Sequence, residues 1–150
     1  METGLDQTSK AIIAALQSDG RRSWSSIAAE IGLSEAAVRQ RVARLTADGV
    51  MQIVAVTDPM QLGFARQAMI GVRTSGDMIA VADALAEIPE LDYVVVTAGS
   101  FDIIVEVVCE DDDQLLDLLV RRIRATPGVV STESFVYLKL IKQHYDWGTR

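Results

Sequence analysis

The chain has 150 residues, 49% hydrophobic and 23% charged, with only 3 Pro, which suits one ordinary domain or two small ones and excludes a low-complexity chain. Its single cysteine, Cys109, cannot close an intramolecular disulfide; the acidic start Met1-Glu2-Thr3-Gly4-Leu5-Asp6 has no apolar run, so neither a signal peptide nor a membrane span is expected and a cytoplasmic location fits. The net charge of −7 is uneven: residues 1–60 hold 6 basic and 7 acidic side chains (−1) and residues 61–150 hold 8 and 14 (−6), so the acidic excess spares the part where a nucleic acid would need cations.

In chain order, a first helix is expected from Asp6 to about Ser18, capped by Asp6, closed by Gly20, and apolar along Ile12, Ile13 and Leu16. A short second helix follows over about Ser25–Ile31, capped by Ser23 or Ser25 and stopped by Gly32. Ser34 reads as the cap of a third helix, with Glu35 favourable in its first turn and Val38, Val42 and Leu45 as its buried stripe. Two helices joined by a tight turn at Gly32 make a helix-turn-helix. A β-rich run, Val50–Val56, then ends at Asp58-Pro59, and the linker is placed at residues 57–65.

The second part alternates. Strands are expected at Gln67–Arg73, Leu91–Thr97, Ile103–Cys109 and Val129–Ile141. One helix spans Asp77–Glu87 with Ile79, Ala82, Leu85 and Ala86 inward. Another starts at Asp112 or Asp113 and runs to about Ala125 with Leu115, Leu116, Leu119 and Ile123 inward. The order β-α-β-β-α-β is the ferredoxin-like pattern. The fold class is therefore α+β: a (winged) helix-turn-helix domain over residues 1–56, the linker, and a ferredoxin-like domain over residues 66–150. Its helices cover one sheet face, so the other, carrying Val, Ile and Tyr, calls for a second subunit.

Helix 3 carries the chemistry. Away from its buried stripe lie Glu35, Ala37, Arg39, Gln40, Arg41 and Arg44. Arginine can donate two bonds to guanine and glutamine can pair with adenine, which is what reading the major groove of double-stranded DNA requires. Ser34 with the helix start can hold a phosphate, and Arg21 and Arg22 can clamp the backbone. Trp24 reads as packing at the start of helix 2, and Cys109 as a small core residue. Asp111-Asp112-Asp113 reads as a helix start rather than a cation site. His144, the only histidine, has no partners for a metal site, and neither a metal nor a catalytic residue is expected.

These elements carry a resemblance. Leu5-Asp6, Leu16-Gln17-Ser18-Asp19-Gly20-Arg21, Gly32-Leu33-Ser34, Arg41-Val42-Ala43-Arg44-Leu45, Gly49-Val50-Met51, Asp58-Pro59 with Leu62-Gly63, Gly99-Ser100-Phe101-Asp102 and Pro127-Gly128-Val129 occur in that order. The chain resembles the Lrp/AsnC, or feast/famine, family of regulators over nearly its whole length. That resemblance implies a non-enzymatic, DNA-binding transcriptional regulator that dimerises and assembles to tetramers or octamers. It implies no cofactor but an amino-acid effector near the turn after the second strand of the C-terminal domain. Here that region is Thr97, Ala98, Gly99, Ser100, Phe101 and Asp102, with Phe135 and Tyr137 from the last strand. Ser100 stands where the family more often has Asp, which removes a charge from the turn. Gly99 can take positive φ there, exposed N–H groups can hold a carboxylate, and Asp102 can hold an ammonium group or bond its own backbone. An alternative is a DNA-organising protein without an effector. A remote one is a tetrapyrrole decarboxylase of the same fold, which calls for basic and histidine side chains that the acidic C-terminal part does not offer.

Overall fold

The computed structural model describes residues 4–149. The chain divides into two compact units, one running to Val56 and including the stretch from Lys142, the other spanning Thr57–Ile141.

Three helices form the first unit: α1 (Gln7–Ser18), α2 (Trp24–Ile31) and α3 (Glu35–Ala47). Each begins where a short polar side chain captures a free amide of the first turn. Asp6 accepts from the Ser9 amide at 2.7 Å, Ser23 from Ser26 at 3.2 Å and Ser34 from Ala37 at 3.2 Å. Of the two candidate caps for α2, Ser23 is therefore the one used. Gly32 ends α2 at φ 72°, a left-handed conformation costing other residues about 1–2 kcal/mol. Gly20 does not close α1: Asp19, in extended conformation, caps it, and its carboxylate accepts from the Arg21 amide. The core joins Ile12, Ala15 and Leu16 of α1 to Ile27 and Ala28 of α2 and Val38 and Val42 of α3.

The β-rich run after α3 does not become a strand. Residues 51–58 have no regular structure, and Val50, Ile53, Val54 and Val56 are all exposed. Strand propensity needs a second strand to accept its hydrogen bonds. Among the described residues the first unit supplies none, so the expected wing does not form there.

The second unit contains β1 (Arg66–Thr74), α4 (Met78–Ala86), β2 (Leu91–Val96), β3 (Ile103–Cys109), α5 (Asp112–Asp117), a π-helical turn continuing it (Leu118–Ile123) and β4 (Val129–Val136). The strands form one antiparallel sheet in the order β2-β3-β1-β4, the ferredoxin-like arrangement. Alternate residues Ala68, Ile70 and Val72 of β1 and Ile103, Val105, Val107 and Cys109 of β3 point to the helices and are buried.

The inward residues of both helices differ in part from expectation. On α4, Val81, Ala82 and Leu85 are buried while Ile79 and Ala86 face outward. The segment is apolar nearly all round, so periodicity leaves its inward face open. Asp111, not Asp112 or Asp113, caps α5. Leu115, Leu119 and Ile123 pack inward as expected; the widened turn beyond Asp117 also brings Leu118, five residues before Ile123, into the core, and Leu116 is 59% exposed. β4 also stops earlier than Ile141. Ala68 pairs with Val136, the Tyr137 amide reaches Gln67 O at 2.8 Å, and β1 then has no further backbone to offer.

The helix-free face of the sheet carries a row across all four strands: Tyr93, Glu106, Met69 and Phe135. Its apolar members are 55%, 36% and 45% exposed respectively.

Candidate functional site

An α-helix turns about 100° per residue, so the buried stripe of α3 fixes where its other side chains point. Ala36, Gln40, Ala43 and Ala47 lie opposite Val38, Val42 and Leu45. Glu35 and Arg39 occupy one flank; Ala37, Arg41, Arg44 and Asp48 occupy the other. Gln40 is exposed, and the Arg39 and Arg44 side chains are 66% and 84% exposed. Arg39 donates to Glu35 at 2.7 Å, one turn back, and Arg44 lies 3.7 Å from Asp48. Both pairs are loose, solvated contacts that phosphates or bases can displace at little cost.

Arg41 is different. It is half-buried, and its Nη1 donates to Asp6 Oδ2 at 2.7 Å and to Ser9 Oγ at 3.2 Å, at the start of α1. Its guanidinium is thereby turned toward α1 and away from the exposed face. Ala37, on the same flank, is half-buried, and the Ser34 hydroxyl is engaged as the α3 cap. Arg22 is held by Glu30 and by Ser26 Oγ. Among the described residues the Arg21 side chain has no partner and is exposed, beside the start of α2. Trp24 packs against the helical core, as the sequence suggested.

In the second unit the turn between β2 and β3 is built from its own bonds. Thr97 N–H donates to Asp102 O at 2.8 Å and Thr97 Oγ1 to Phe101 O at 2.6 Å. Ala98, Gly99 and Ser100 are exposed between them. Gly99 does not adopt positive φ. The glycine that matters is Gly71 on β1: a Cβ there would lie 2.5–2.7 Å from ring carbons of Phe101. The Asp102 carboxylate does not bond its own turn either. Its Oδ2 accepts from the Thr74 amide at 2.7 Å and from Thr74 Oγ1 at 3.1 Å, tying the turn to β1.

Around Phe101 the structure brings together residues that the sequence kept apart. Phe135 meets it edge-on at 6.0 Å. The Arg73 guanidinium lies 4.6 Å from its ring centroid, and Arg73 Nε donates to Ser100 O at 3.0 Å. Tyr137 lies just past the end of β4. Sequence reasoning missed Arg73 and Gly71. An isolated glycine inside the strand Met69-Ile70-Gly71-Val72 was the available signal, because it marks a close approach.

The comparisons with known proteins cover both units. The family model for an AsnC-type helix-turn-helix domain matches residues 5–46, and one for a C-terminal dimeric α+β barrel domain of AsnC-type regulators matches residues 64–150. The chain is 33% identical over 145 residues to the HTH-type transcriptional regulator FL11 of Pyrococcus horikoshii, covering 95% of each. It is similar to the crystal structure of the leucine response regulatory protein LrpA of Mycobacterium tuberculosis, with TM-score 0.81, 30% identity and coverage of 93% and 96%. A feast or famine regulatory protein from M. tuberculosis, complexed with L-methionine, matches with TM-score 0.78, 29% identity and coverage of 93% and 95%.

Proposed function

Since the chain belongs to the Lrp/AsnC family of transcriptional regulators, we propose that it binds specific DNA sequences as a dimer and that an amino acid, bound at the β2–β3 turn, modulates that binding. The observation that carries the DNA reading is α3: an exposed face bearing Gln40 and Arg39, on a helix held by a buried stripe and joined to α2 by a left-handed glycine. In a dimer two such helices enter major grooves about 34 Å apart. Arg39 and Gln40 read bases, while Arg21 and the start of α2 hold phosphate. The outward sheet face, with Met69, Tyr93 and Phe135, seats the second copy. An amino-acid effector is supported by the relative that carries L-methionine and by the cluster of Phe101, Phe135 and Arg73 beside the turn. Cytoplasm is the proposed location; among the described residues no helix is long and apolar enough to cross a membrane.

Fluorescence anisotropy on the upstream DNA of the protein's own gene, against scrambled DNA, tests this. Preferential binding that shifts with a mixture of common amino acids supports both halves. Arg39→Ala and Gln40→Ala are each expected to remove about 1–3 kcal/mol of the preference, the scale of a base contact. Equal binding of both duplexes by the unmodified protein sinks the DNA reading.

A second reading, a DNA organiser without an effector, is favoured by one observation. Asp102 already accepts twice from Thr74 through Oδ2, and Ser100 is neutral, so the turn offers an ammonium group only a carboxylate shared with Thr74. Calorimetry against the common amino acids separates the two readings. Heat from none of them favours the organiser.

A further inference from the structure

We infer that Asp6 and Arg41 form a clamp that fixes the rotation of α3 about its own axis, so that Arg41 sets DNA specificity by position and reads no base itself. The inference rests on the DNA-reading role of α3 proposed above.

The contacts between α1 and α3 are otherwise apolar, made by Ile12, Leu16, Val38 and Val42. Such contacts stabilise without direction, and a helix can turn or slide a little against them. Hydrogen bonds do not allow this, since they weaken steeply with distance and angle. The clamp is the directional element. Asp6 uses both carboxylate oxygens: Oδ1 accepts from the Ser9 amide at 2.7 Å, and Oδ2 accepts from Arg41 at 2.7 Å. Arg41 also donates to Ser9 Oγ at 3.2 Å. Ser9, at 7% exposure, is the one buried polar residue among those described, so its hydroxyl is held where water scarcely reaches.

Magnitudes favour a positional role. The Arg41 and Asp6 side chains are 37% and 54% exposed, too solvated for the pair to add much stability. Rotation has a larger consequence. Side-chain ends lie about 6 Å from a helix axis, so a turn of about 20° moves them by about 2 Å. A base hydrogen bond does not survive that displacement. Gln40 immediately precedes Arg41 and, with Asp6, Ser9 and Arg41, lines a surface groove at the start of α1, so its aim follows the clamp directly.

The test is a double-mutant cycle read by DNA anisotropy, using the full chain on its preferred and scrambled duplexes across a range of salt. Asp6→Asn keeps a helix-capping oxygen but removes the charge that holds Arg41; Arg41→Gln removes the other half. Each single variant is expected to lower the preferred-to-scrambled affinity ratio by about tenfold, the scale of a lost base contact. Affinity for scrambled DNA and the salt slope should stay unchanged, and the double variant should lose no more than either single one. Loss in Arg41→Gln with none in Asp6→Asn means that Arg41 reads DNA itself and overturns the inference. So does a salt slope that falls by about 0.9 in Arg41→Gln, the mark of one lost phosphate contact. Should Arg41→Gln fail to fold, Asp6→Asn carries the test alone, its unchanged preference overturning the clamp. An unmodified protein without preference refutes the DNA reading before any variant is compared.

Discussion

The Asp6 carboxyl is held at about 2, well below its ordinary 3.8, first by the Ser9 amide, then by the Ser9 hydroxyl and by Arg41. A carboxyl whose pKa is lower in the folded chain stabilises that state above its unfolded value and loses the effect as pH falls through the folded value. The stability advantage of the unmodified protein over Asp6→Asn should therefore be complete above about pH 4 and fade as pH approaches about 2, read by urea melts at each pH. An advantage still complete at pH 2 would show that the charge of Asp6 is not its source. As a cap, Asp6 was legible, because capping is a local pattern of residue type and spacing. As the partner of Arg41 it was not, since the two meet only after α1 and α3 pack. Arg41 accordingly read from sequence as one more exposed cation.

Among the elements, β1 and the helix after β3 show where local pattern stops deciding. The Gly71 position lets the Phe101 ring lie against the β1 backbone. Gly71→Ala is expected to cost about 1–3 kcal/mol in urea melts, as overpacking does. Phe101→Ala in the same chain should relieve part of that cost, so the double variant loses less than the sum. Two full, additive losses would mean that the ring is not what Gly71 accommodates. After β3, the π-helical turn adds Leu118 to the inward set beside Ile123, while Leu116 stays outward. Leu118→Ala should cost about 2–5 kcal/mol as a core cavity. Leu116→Ala, at an exposed position, should stay within about 0.5 kcal/mol of the parent. The reverse order would restore the regular helix that the sequence suggested. The existence of each helix was legible from its caps and apolar content. The buried stripes of α1 and α3 were legible too, but the rotation of α4 was not, because its nearly continuous apolar run fits several inward faces.

At the scale of the whole molecule, the outward sheet face is the surface proposed above to seat a second copy. Tyr93, Glu106, Met69 and Phe135 form one row across the sheet, and the helices cover only the opposite side. A charge placed at Met69, which points away from the core, should leave the fold intact and disfavour burial against a second copy. Met69→Asp is therefore expected to shift the mass in light scattering toward a monomer. An unchanged mass would place the interface elsewhere. The exposed apolar run Val50–Val56 belongs to the same scale, since a strand cannot form until something pairs with it.

By itself the sequence determined the helix-turn-helix and the ferredoxin-like strand order, because these rest on caps, left-handed glycines and alternation that act within a few residues; the family followed from the resemblance of its ordered motifs. Only the tertiary structure decided that Arg41 turns to Asp6, that Gly71 rather than Gly99 is the sterically required glycine, that Arg73 joins the aromatic pair, and that β4 ends at Val136. Each of these depends on a partner distant in sequence. A hydrogen bond, a ring contact or a strand register exists only when both sides are in place.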